Sequence, residues 1–184
     1  MSSPLKVAIA GLGNVGVGVV KILEQHKKLI ADRAGCEIFI TTVCARNRAA
    51  DRGIDISAYA WAEDVRKISD SDDVDIVIEL IGGEGGVAFD IAKNTLNKSK
   101  SLVTANKAMI AHRGAQLAEL AQKNNVALRF EAAVAGGIPI IKIVGEGLAG
   151  NALNLVYGIM NGTTNYMLSQ MESRGLTYRE ILIE

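Results

Sequence analysis

Short apolar runs alternate with longer amphipathic stretches along most of the chain. Most of the runs hold roughly four to eight residues, the length of a buried strand, and polar or glycine-rich residues flank them. They predict strands over residues 7–10, 38–45, 75–81, 102–104 and 126–130. The stretches between them have helical spacing and predict helices over residues 15–24, 62–68, 87–96 and 114–123.

Two of these helices have a defined apolar side, which we expect to face a core. In the first helix that side is formed by Val15, Val19, Ile22 and Leu23. In the last it is formed by Leu117, Leu120 and Ala121. The strands, in contrast, are apolar on both faces. Such strands separated by helices indicate a parallel sheet covered on both sides, and right-handed crossovers then give an α/β fold with a doubly wound sheet.

The pattern changes after Glu131, where residues 132–137 are small and glycine-rich. Pro139 can open a helix at its first turn. Farther along, we predict a strand over residues 153–160 and a helix over residues 163–174.

This change predicts two domains. Residues 1–135 would form the doubly wound domain, and residues 136–184 would begin a second domain of the α+β type. Because roughly 45–50 residues rarely make an independent domain, we expect the second domain to be incomplete in this chain.

Composition narrows the range of partners. Apolar residues make up 49% of the chain, enough for a sizeable core, while the net charge is zero and aromatics are only 4%. We therefore expect no nucleic acid and no membrane surface among its partners. The longest uncharged run, residues 148–171, is too polar to span a bilayer. Cys36 and Cys44 lack the spacing of a metal site, and no signal peptide opens the chain. We therefore expect a cytoplasmic protein.

A glycine motif lies between the first predicted strand and the first predicted helix. Gly11-Leu12-Gly13-Asn14-Val15-Gly16 matches G-x-G-x-x-G, the fingerprint of dinucleotide-binding (Rossmann) domains. Gly11 would make the turn, Gly13 would let the backbone approach a pyrophosphate, and Gly16 would let the helix pack on the strand. The anion would rest on the helix N-terminus. The alternative is a glycine-rich turn without a ligand.

The end of the second strand usually distinguishes NAD from NADP, because NAD sites carry an acid there that binds the ribose hydroxyls. This chain has Arg46 and no acid before Asp51. Arg46 could bind a 2′-phosphate, which favours NADP over NAD, or it could be a solvated surface arginine.

Two further features follow the next two strands. Gly82-Gly83 ends the third predicted strand, at the edge where open α/β sheets bind ligands, and glycines there would let a nicotinamide ribose come close. Lys107 follows the strand at 102–104, an unusual place for a lysine unless its charge has a role. Desolvation could make it an acid or base. The alternative for the glycines is a plain turn that ends the strand. The alternative for Lys107 is a snorkelling lysine, whose aliphatic part covers the sheet edge while its ammonium group stays in water.

Several segments together resemble one family. The chain is similar to the N-terminal part of homoserine dehydrogenase, in the family's order and over nearly its whole length. The segments are GLGNVG (residues 11–16), IELIGG (78–83), VTANK (103–107), EAAVAGGIPI (131–140) and GIMNGTTNY (158–166).

The resemblance implies the interconversion of L-homoserine and L-aspartate 4-semialdehyde with NADP or NAD, a step toward threonine and methionine. It implies that Lys107 lies at the nicotinamide pocket and takes part in catalysis. It also implies a homodimer built through the second domain. The family's acidic substrate segment and second lysine have no counterpart in the sequence, so we expect the chain to be truncated before them.

Two more sites are implied by the same resemblance. Glu131, Val134, Gly136 and Ile138 match a loop that binds a monovalent cation such as sodium, an ion that oxygen ligands suit. Gly162 and Thr163 match substrate-pocket residues. The alternatives are that Glu131 caps a helix or pairs locally and that Thr163 is an N-cap.

Other functions stay open at this point. The chain could be a nucleotide-binding module without catalysis, or an inactive fragment of such an enzyme. A sugar oxidoreductase with a lysine at the same sheet edge is a third reading. Those enzymes usually show Glu-Lys-Pro where this chain has Ala105-Asn106-Lys107.

Overall fold

The computed structural model describes residues 3–158 and 161–183. The chain divides into two compact units, Met1–Val134 and Ala135–Glu184. The first unit contains a six-stranded sheet in which all neighbours pair in parallel, in the order β3-β2-β1-β4-β5-β6. Its strands are β1 Leu5–Ala10, β2 Ile38–Cys44, β3 Ala60–Trp61, β4 Ile76–Glu79, β5 Ser101–Thr104 and β6 Leu128–Arg129. The predicted α/β, doubly wound sheet is confirmed, with the two-residue β3 as an unpredicted addition.

Each face of the sheet has its own core. Along β1, Ala8 and Ala10 belong to one buried cluster, while Val7 and Ile9 belong to the other. Successive side chains of a strand point to opposite faces, so this alternation means that both faces are covered. The strands could therefore be apolar throughout, as the sequence indicated.

Four helices connect these strands. They are α1 Asn14–Gln25, α2 Lys27–Ala34, α3 Val87–Asn97 and α4 Lys107–Lys123. The pattern did not predict α2, which has no buried residue and so leaves no apolar stripe in the sequence.

The apolar side expected for α1 is partly wrong. Val15 and Ile22 are 57% and 55% exposed, whereas Gly16 and Val20 are the buried positions. The helix is rotated about its axis because Gly16 must pack against the turn that precedes it. In α4 the expected inward residues are correct, with Leu117 and Ala121 buried and Leu120 packed against the same cluster.

The helix α4 begins seven residues earlier than the expected start at residue 114. Asn106 is its N-cap, and the Oδ1 of Asn106 accepts a hydrogen bond from the N–H of Met109 at 3.0 Å. This cap satisfies one of the free N–H groups of the first turn, so the helix starts directly after β5.

The helix expected over residues 62–68 is mostly absent. The N–H of Ala62 donates to the carbonyl of Val43, continuing the pairing of β2 with β3. Only Val65–Lys67 is helical, a 3-10 turn capped by the side chain of Asp64. Ala62, which would have begun the expected helix, is therefore held in the pairing with β2.

The second unit is helical in its described part. It contains α5 Ile140–Lys142, which continues as a π-helical turn over Ile143–Gly147, then α6 Gly162–Arg174 and α7 Tyr178–Ile183. Pro139 directly precedes α5, and α6 matches its prediction to within one residue. A reciprocal pair of hydrogen bonds between Thr177 and Glu180 opens α7.

The strand expected over residues 153–160 does not form over residues 153–158, and residues 159–160 lie outside the described part. A strand needs a neighbour to bond with, and the described part of this unit provides no other strand. Over residues 3–158 and 161–183, no helix is both long enough and apolar enough to cross a membrane.

Candidate functional site: the glycine turn and the carboxyl ends of the strands

The turn between β1 and α1 is built for close backbone approach. Gly11 has φ +106°, and a β-carbon on it would stand 2.7 Å from the carbonyl oxygen of Leu80. Its N–H donates to the carbonyl of Cys44 at 2.9 Å. Gly11 therefore lies between the ends of β2 and β4, where only glycine has both the conformation and the space.

The other two glycines of the motif differ in their surroundings. A β-carbon on Gly16 would stand 2.0 Å from the carbonyl oxygen of Gly11, so Gly16 lets α1 pack against the turn. Gly13 is the N-cap of α1 and has nothing within 4 Å of its β-carbon position. Because Gly13 has no capping side chain, the N–H groups of the first turn of α1 are open to an anion.

A cavity of about 710 Å³ adjoins this turn, a volume within the range of small-molecule and cofactor sites. It reaches from the glycine turn across the end of β2 to the end of β4. Its lining comprises Gly11, Leu12, Gly13, Cys44, Ala45, Arg46, Asn47, Arg52, Glu63, Val65, Leu80, Ile81 and Val87. Parallel strands present their carboxyl ends at this edge, which is where doubly wound sheets bind ligands.

Three arginines follow β2, and they differ in their partners. Arg48 lies over the ring of Trp61 at 5.6 Å and pairs with Glu63 at 3.6 Å. Arg52 is bound by backbone carbonyls. Arg46 lines the cavity, is exposed, and makes no hydrogen bond or ion pair within the described residues. Of the three, Arg46 has a guanidinium that is open to a ligand phosphate.

Arg52 holds the loop after β2 in place, a role that the sequence analysis did not anticipate. Its Nε donates to the carbonyl of Leu12 at 3.2 Å, and its Nη1 donates to the carbonyl of Ala50 at 2.8 Å. Its Nη2 donates to the carbonyl of Asn47. Arg52 thus ties the loop that carries Arg46 to the glycine turn. Nothing in the local sequence distinguishes it from a solvated arginine.

Cys44 is the last residue of β2 and lines the same cavity. Burial raises the pKa of its thiol, and the nearby Asp64 and Glu63 raise it further. The group is therefore a neutral thiol at neutral pH, which suits a packing role and disfavours a nucleophile.

A second group of residues lies at the ends of β4 and β5. Glu79, the last residue of β4, is completely buried. Its Oε1 accepts hydrogen bonds from the N–H groups of Ile81 at 2.7 Å and Gly82 at 3.3 Å. Gly82 and Gly83 follow with φ of +84° and +92°. The chain therefore turns directly after β4, which explains why the strand ends two residues before the position expected from the sequence.

Lys107 is brought close to this glycine pair. The side-chain Nδ2 of Asn106 donates to the carbonyl of Gly83 at 2.7 Å, and Lys107 is the next residue, the first of α4. Its side chain is exposed, so the first unit does not supply the desolvation that we expected around it. A cation at a helix N-terminus is opposed by the helix dipole, and such local conflicts concentrate at functional sites.

The family models match both units. The model described as the NAD binding domain of homoserine dehydrogenase matches residues 11–131, and the homoserine dehydrogenase model matches residues 139–184. The chain belongs to the homoserine dehydrogenase family. The first unit therefore carries the family's nicotinamide-dinucleotide-binding domain.

Individual homoserine dehydrogenases agree with the family models. The enzymes of Neisseria gonorrhoeae and Pseudomonas aeruginosa are both 41% identical to this chain, over 181 and 183 residues respectively. Each alignment covers 98% of the chain but only 41% of the relative. The chain thus spans about two fifths of the length of the curated relatives it matches.

Solved structures agree with the fold. A homoserine dehydrogenase from Thiobacillus denitrificans superposes with a TM-score of 0.87 at 37% identity, covering 97% of this chain and 41% of that one. A hyperthermophilic archaeal homoserine dehydrogenase mutant in complex with NADPH superposes with a TM-score of 0.77 at 22% identity, covering 97% of this chain and 59% of that one. The second likeness concerns the fold alone.

The residues that the family resemblance implies for a cation site are divided between the two units. Glu131 and Val134 close the first unit, and Gly136 and Ile138 begin the second. The carbonyl of Glu131 accepts from the N–H of Val134 at 3.2 Å, and that of Ile138 accepts from the N–H of Ile140 at 2.8 Å. Glu131 is the first residue of the 3-10 turn Glu131–Ala133, whose N-cap is Phe130, so the alternative that Glu131 is the cap is wrong. Within residues 3–158 and 161–183, no three His, Cys, Asp or Glu side chains group as metal ligands.

Gly162 and Thr163 are the first two residues of α6 in the second unit, and both are exposed. The N-cap is Asn161, whose Oδ1 accepts from the N–H of Thr164 at 2.9 Å. The alternative that Thr163 is the N-cap is therefore wrong, because Asn161 already occupies that position. This leaves the Thr163 hydroxyl without a capping role.

Proposed function

We propose that this chain functions as the cofactor-binding part of a homoserine dehydrogenase, which interconverts L-homoserine and L-aspartate 4-semialdehyde with a nicotinamide cofactor. The observation that carries the proposal is the glycine turn with its open helix N-terminus and cavity, in a chain that family models match in both units. Residues 1–135 would be the cofactor domain and residues 136–184 the beginning of the substrate and dimerisation domain.

The cofactor would be NADP rather than NAD. Its pyrophosphate would rest on the backbone of Gly11, Gly13, Asn14, Val15 and Gly16. Support comes from Arg46, which is exposed at the cavity and has no partner among the described residues, and from the absence of an acid between Cys44 and Asp51. The archaeal structure with NADPH shows that a protein of this fold accepts that cofactor. The 2′-phosphate would lie against Arg46, a charge-assisted contact that NAD lacks.

The nicotinamide end would lie at Gly82, Gly83 and Lys107. A bound nicotinamide ring supplies a hydride acceptor for the carbon that bears the substrate hydroxyl. Lys107 would stabilise the charge that develops on the reacting oxygen and share in the movement of its proton. The unfavourable position of this cation on its helix supports that assignment, since the negative oxygen would offset the repulsion.

The remaining assignments rest on the family. Gly162 and Thr163 would contact the substrate, a role that is compatible with a Thr163 hydroxyl that does not cap α6. Sodium would be held by backbone oxygens of Glu131, Val134, Gly136 and Ile138. A homodimer and a cytoplasmic location complete the proposal, the latter supported by two cysteines that are free thiols.

The deciding experiment is the L-homoserine-dependent reduction of NADP by the purified chain, with its intact mass confirmed and NADPH binding measured on the same sample. Binding together with turnover would support the full proposal. Binding without turnover would restrict it to cofactor binding, which is the non-catalytic alternative. The absence of both NADPH binding and turnover would contradict the proposal.

A further inference from the structure

A buried glutamate at the centre of the sheet needs an explanation. Glu79 has no exposed surface, yet the strand that it ends is otherwise apolar. Burying a carboxyl group is costly unless its oxygens are hydrogen-bonded. An apolar residue would fill the same position without that cost, so the three hydrogen bonds of Glu79 point to a role other than packing.

The first oxygen of Glu79 shapes the turn after β4. By accepting from the N–H groups of Ile81 and Gly82, Oε1 holds the backbone in a tight reversal. The next residue, Gly83, continues the turn with a second positive φ. A turn with two left-handed glycines in succession is conformationally free by itself, so the carboxyl group supplies the restraint.

The second oxygen reaches the neighbouring strand. The hydroxyl of Thr104 donates to Oε2 at 2.6 Å and accepts from the N–H of Asn106 at 3.0 Å. The Asn106 side chain then donates to the carbonyl of Gly83. These contacts close a ring that runs from Glu79 through Thr104 and Asn106 back to the glycine turn. Glu79, Thr104 and Asn106 are all at least nine-tenths buried.

We propose that Glu79 is a positioning residue that holds the Gly82-Gly83 turn and Asn106 as one rigid support for the nicotinamide end of the cofactor. The inference rests on the proposed function. The adenosine end would bind elsewhere, at Arg46 after β2. A disturbance of this ring of hydrogen bonds should therefore weaken the contacts of the protein with the nicotinamide half of the cofactor. The contacts with the adenosine half should stay unchanged.

The substitution Glu79→Gln disturbs the ring without changing its volume. The amide oxygen can still accept from Ile81 and Gly82, but the NH2 group would face the Thr104 hydroxyl, whose proton then has no acceptor. Leaving a buried donor unsatisfied carries its full desolvation cost. Thr104→Val removes the same link from the other side, and Thr104→Ser keeps it. Glu84→Gln, at an exposed glutamate paired with His112, is the matched control.

The test compares the binding of NADPH with that of 2′,5′-ADP, which lacks the nicotinamide half, by calorimetry on the full chain. We expect Glu79→Gln and Thr104→Val to weaken NADPH about tenfold or more and to leave 2′,5′-ADP within about twofold. Thr104→Ser and Glu84→Gln should match the unaltered chain for both ligands.

Equal losses for both ligands, or no loss for either, would overturn the inference while the proposed function stands. Circular dichroism melting checks that each variant is folded. If Glu79→Gln does not fold, the comparison of Thr104→Val with Thr104→Ser decides. If the unaltered chain binds no NADPH, the proposed function fails and this inference fails with it.

Discussion

The carbonyl oxygen of Gly11 lies 2.0 Å from the point where a β-carbon on Gly16 would stand. No side chain fits there without moving the turn or the helix. Gly16→Ala should therefore destabilise the fold by about 2 kcal/mol or more, as overpacking against backbone does. Urea denaturation measures this loss. Gly18→Ala is the control on the same helix, because its β-carbon position is open and alanine favours helices by about 1 kcal/mol over glycine. Equal stability of the two variants would contradict the packing role.

Gly13→Ala should separate binding from folding. Its β-carbon would meet nothing within 4 Å, and its φ of −81° suits alanine. Stability should change by less than about 1 kcal/mol. The methyl group would, however, stand where a pyrophosphate must approach the helix N-terminus, so NADPH affinity should fall at least about tenfold. Unchanged affinity in a folded variant would show that the dinucleotide does not use this turn.

Arg46→Ala should weaken NADPH by about tenfold and NADH by much less, because only NADPH carries the phosphate that the guanidinium would bind. Arg48→Ala is the control, since that side chain is already engaged with Trp61 and Glu63. Fluorescence titration with both reduced cofactors measures the difference. Equal losses for the two cofactors would mean that Arg46 does not contact the 2′-phosphate.

Lys107→Ala should lower the rate of L-homoserine-dependent NADP reduction by well over tenfold, the range that positioned acid or base groups contribute. Lys123→Ala, in the last turn of the same helix, should leave the rate unchanged. A Lys107→Ala variant with full activity would remove this residue from the reaction.

Tyr59 gives the fold a pH dependence in alkali. Its hydroxyl donates to Glu24 at 2.8 Å, and burial, followed by that hydrogen bond, raises its pKa to about 12 from a usual 10.0. Between these values the unfolded chain loses the tyrosine proton while the folded chain keeps it. Folding stability should therefore be intact below about pH 10 and should decline as the pH rises toward 12.

Tyr59→Phe cannot ionise, so its urea midpoint should fall less steeply than that of the unaltered chain between about pH 9 and about pH 11. Tyr178→Phe, at a tyrosine that is 58% exposed, serves as the control and should retain the original slope. Identical slopes for Tyr59→Phe and the unaltered chain would argue against the contribution of Tyr59.

The sequence predicted well where burial decides the structure. Five of the six strands and the sheet class follow from apolar runs such as residues 7–10, since only a sheet covered on both faces buries such runs. Prediction was poorer where individual contacts decide where a helix begins or which of its sides is buried. The start of α4 depends on the Asn106 cap, and the rotation of α1 depends on the approach of Gly16 to Gly11, neither of which appears in hydrophobic periodicity.

The site shows the same division. The glycine motif and Arg46 could be singled out as candidates because their residue types and positions after strands are typical of dinucleotide sites. Glu79 and Arg52 could not, since their roles come from partners that are distant in sequence, Thr104 and Leu12 respectively. The segment IELIGG shows that an acidic residue lies in an apolar run, but only the structure shows that this residue is buried.

The position of β1 in the sheet sets an order of events during synthesis. Val7 of β1 pairs with Ile40 on one side and with Ile76 on the other, and Gly11 fits against Leu80. The glycine turn therefore lacks one of its two walls until residue 80 has left the ribosome. A nascent chain that ends before β4 would already carry every glycine of the motif but would lack the wall that Leu80 forms, so we expect competence to bind a dinucleotide only after β4 has docked.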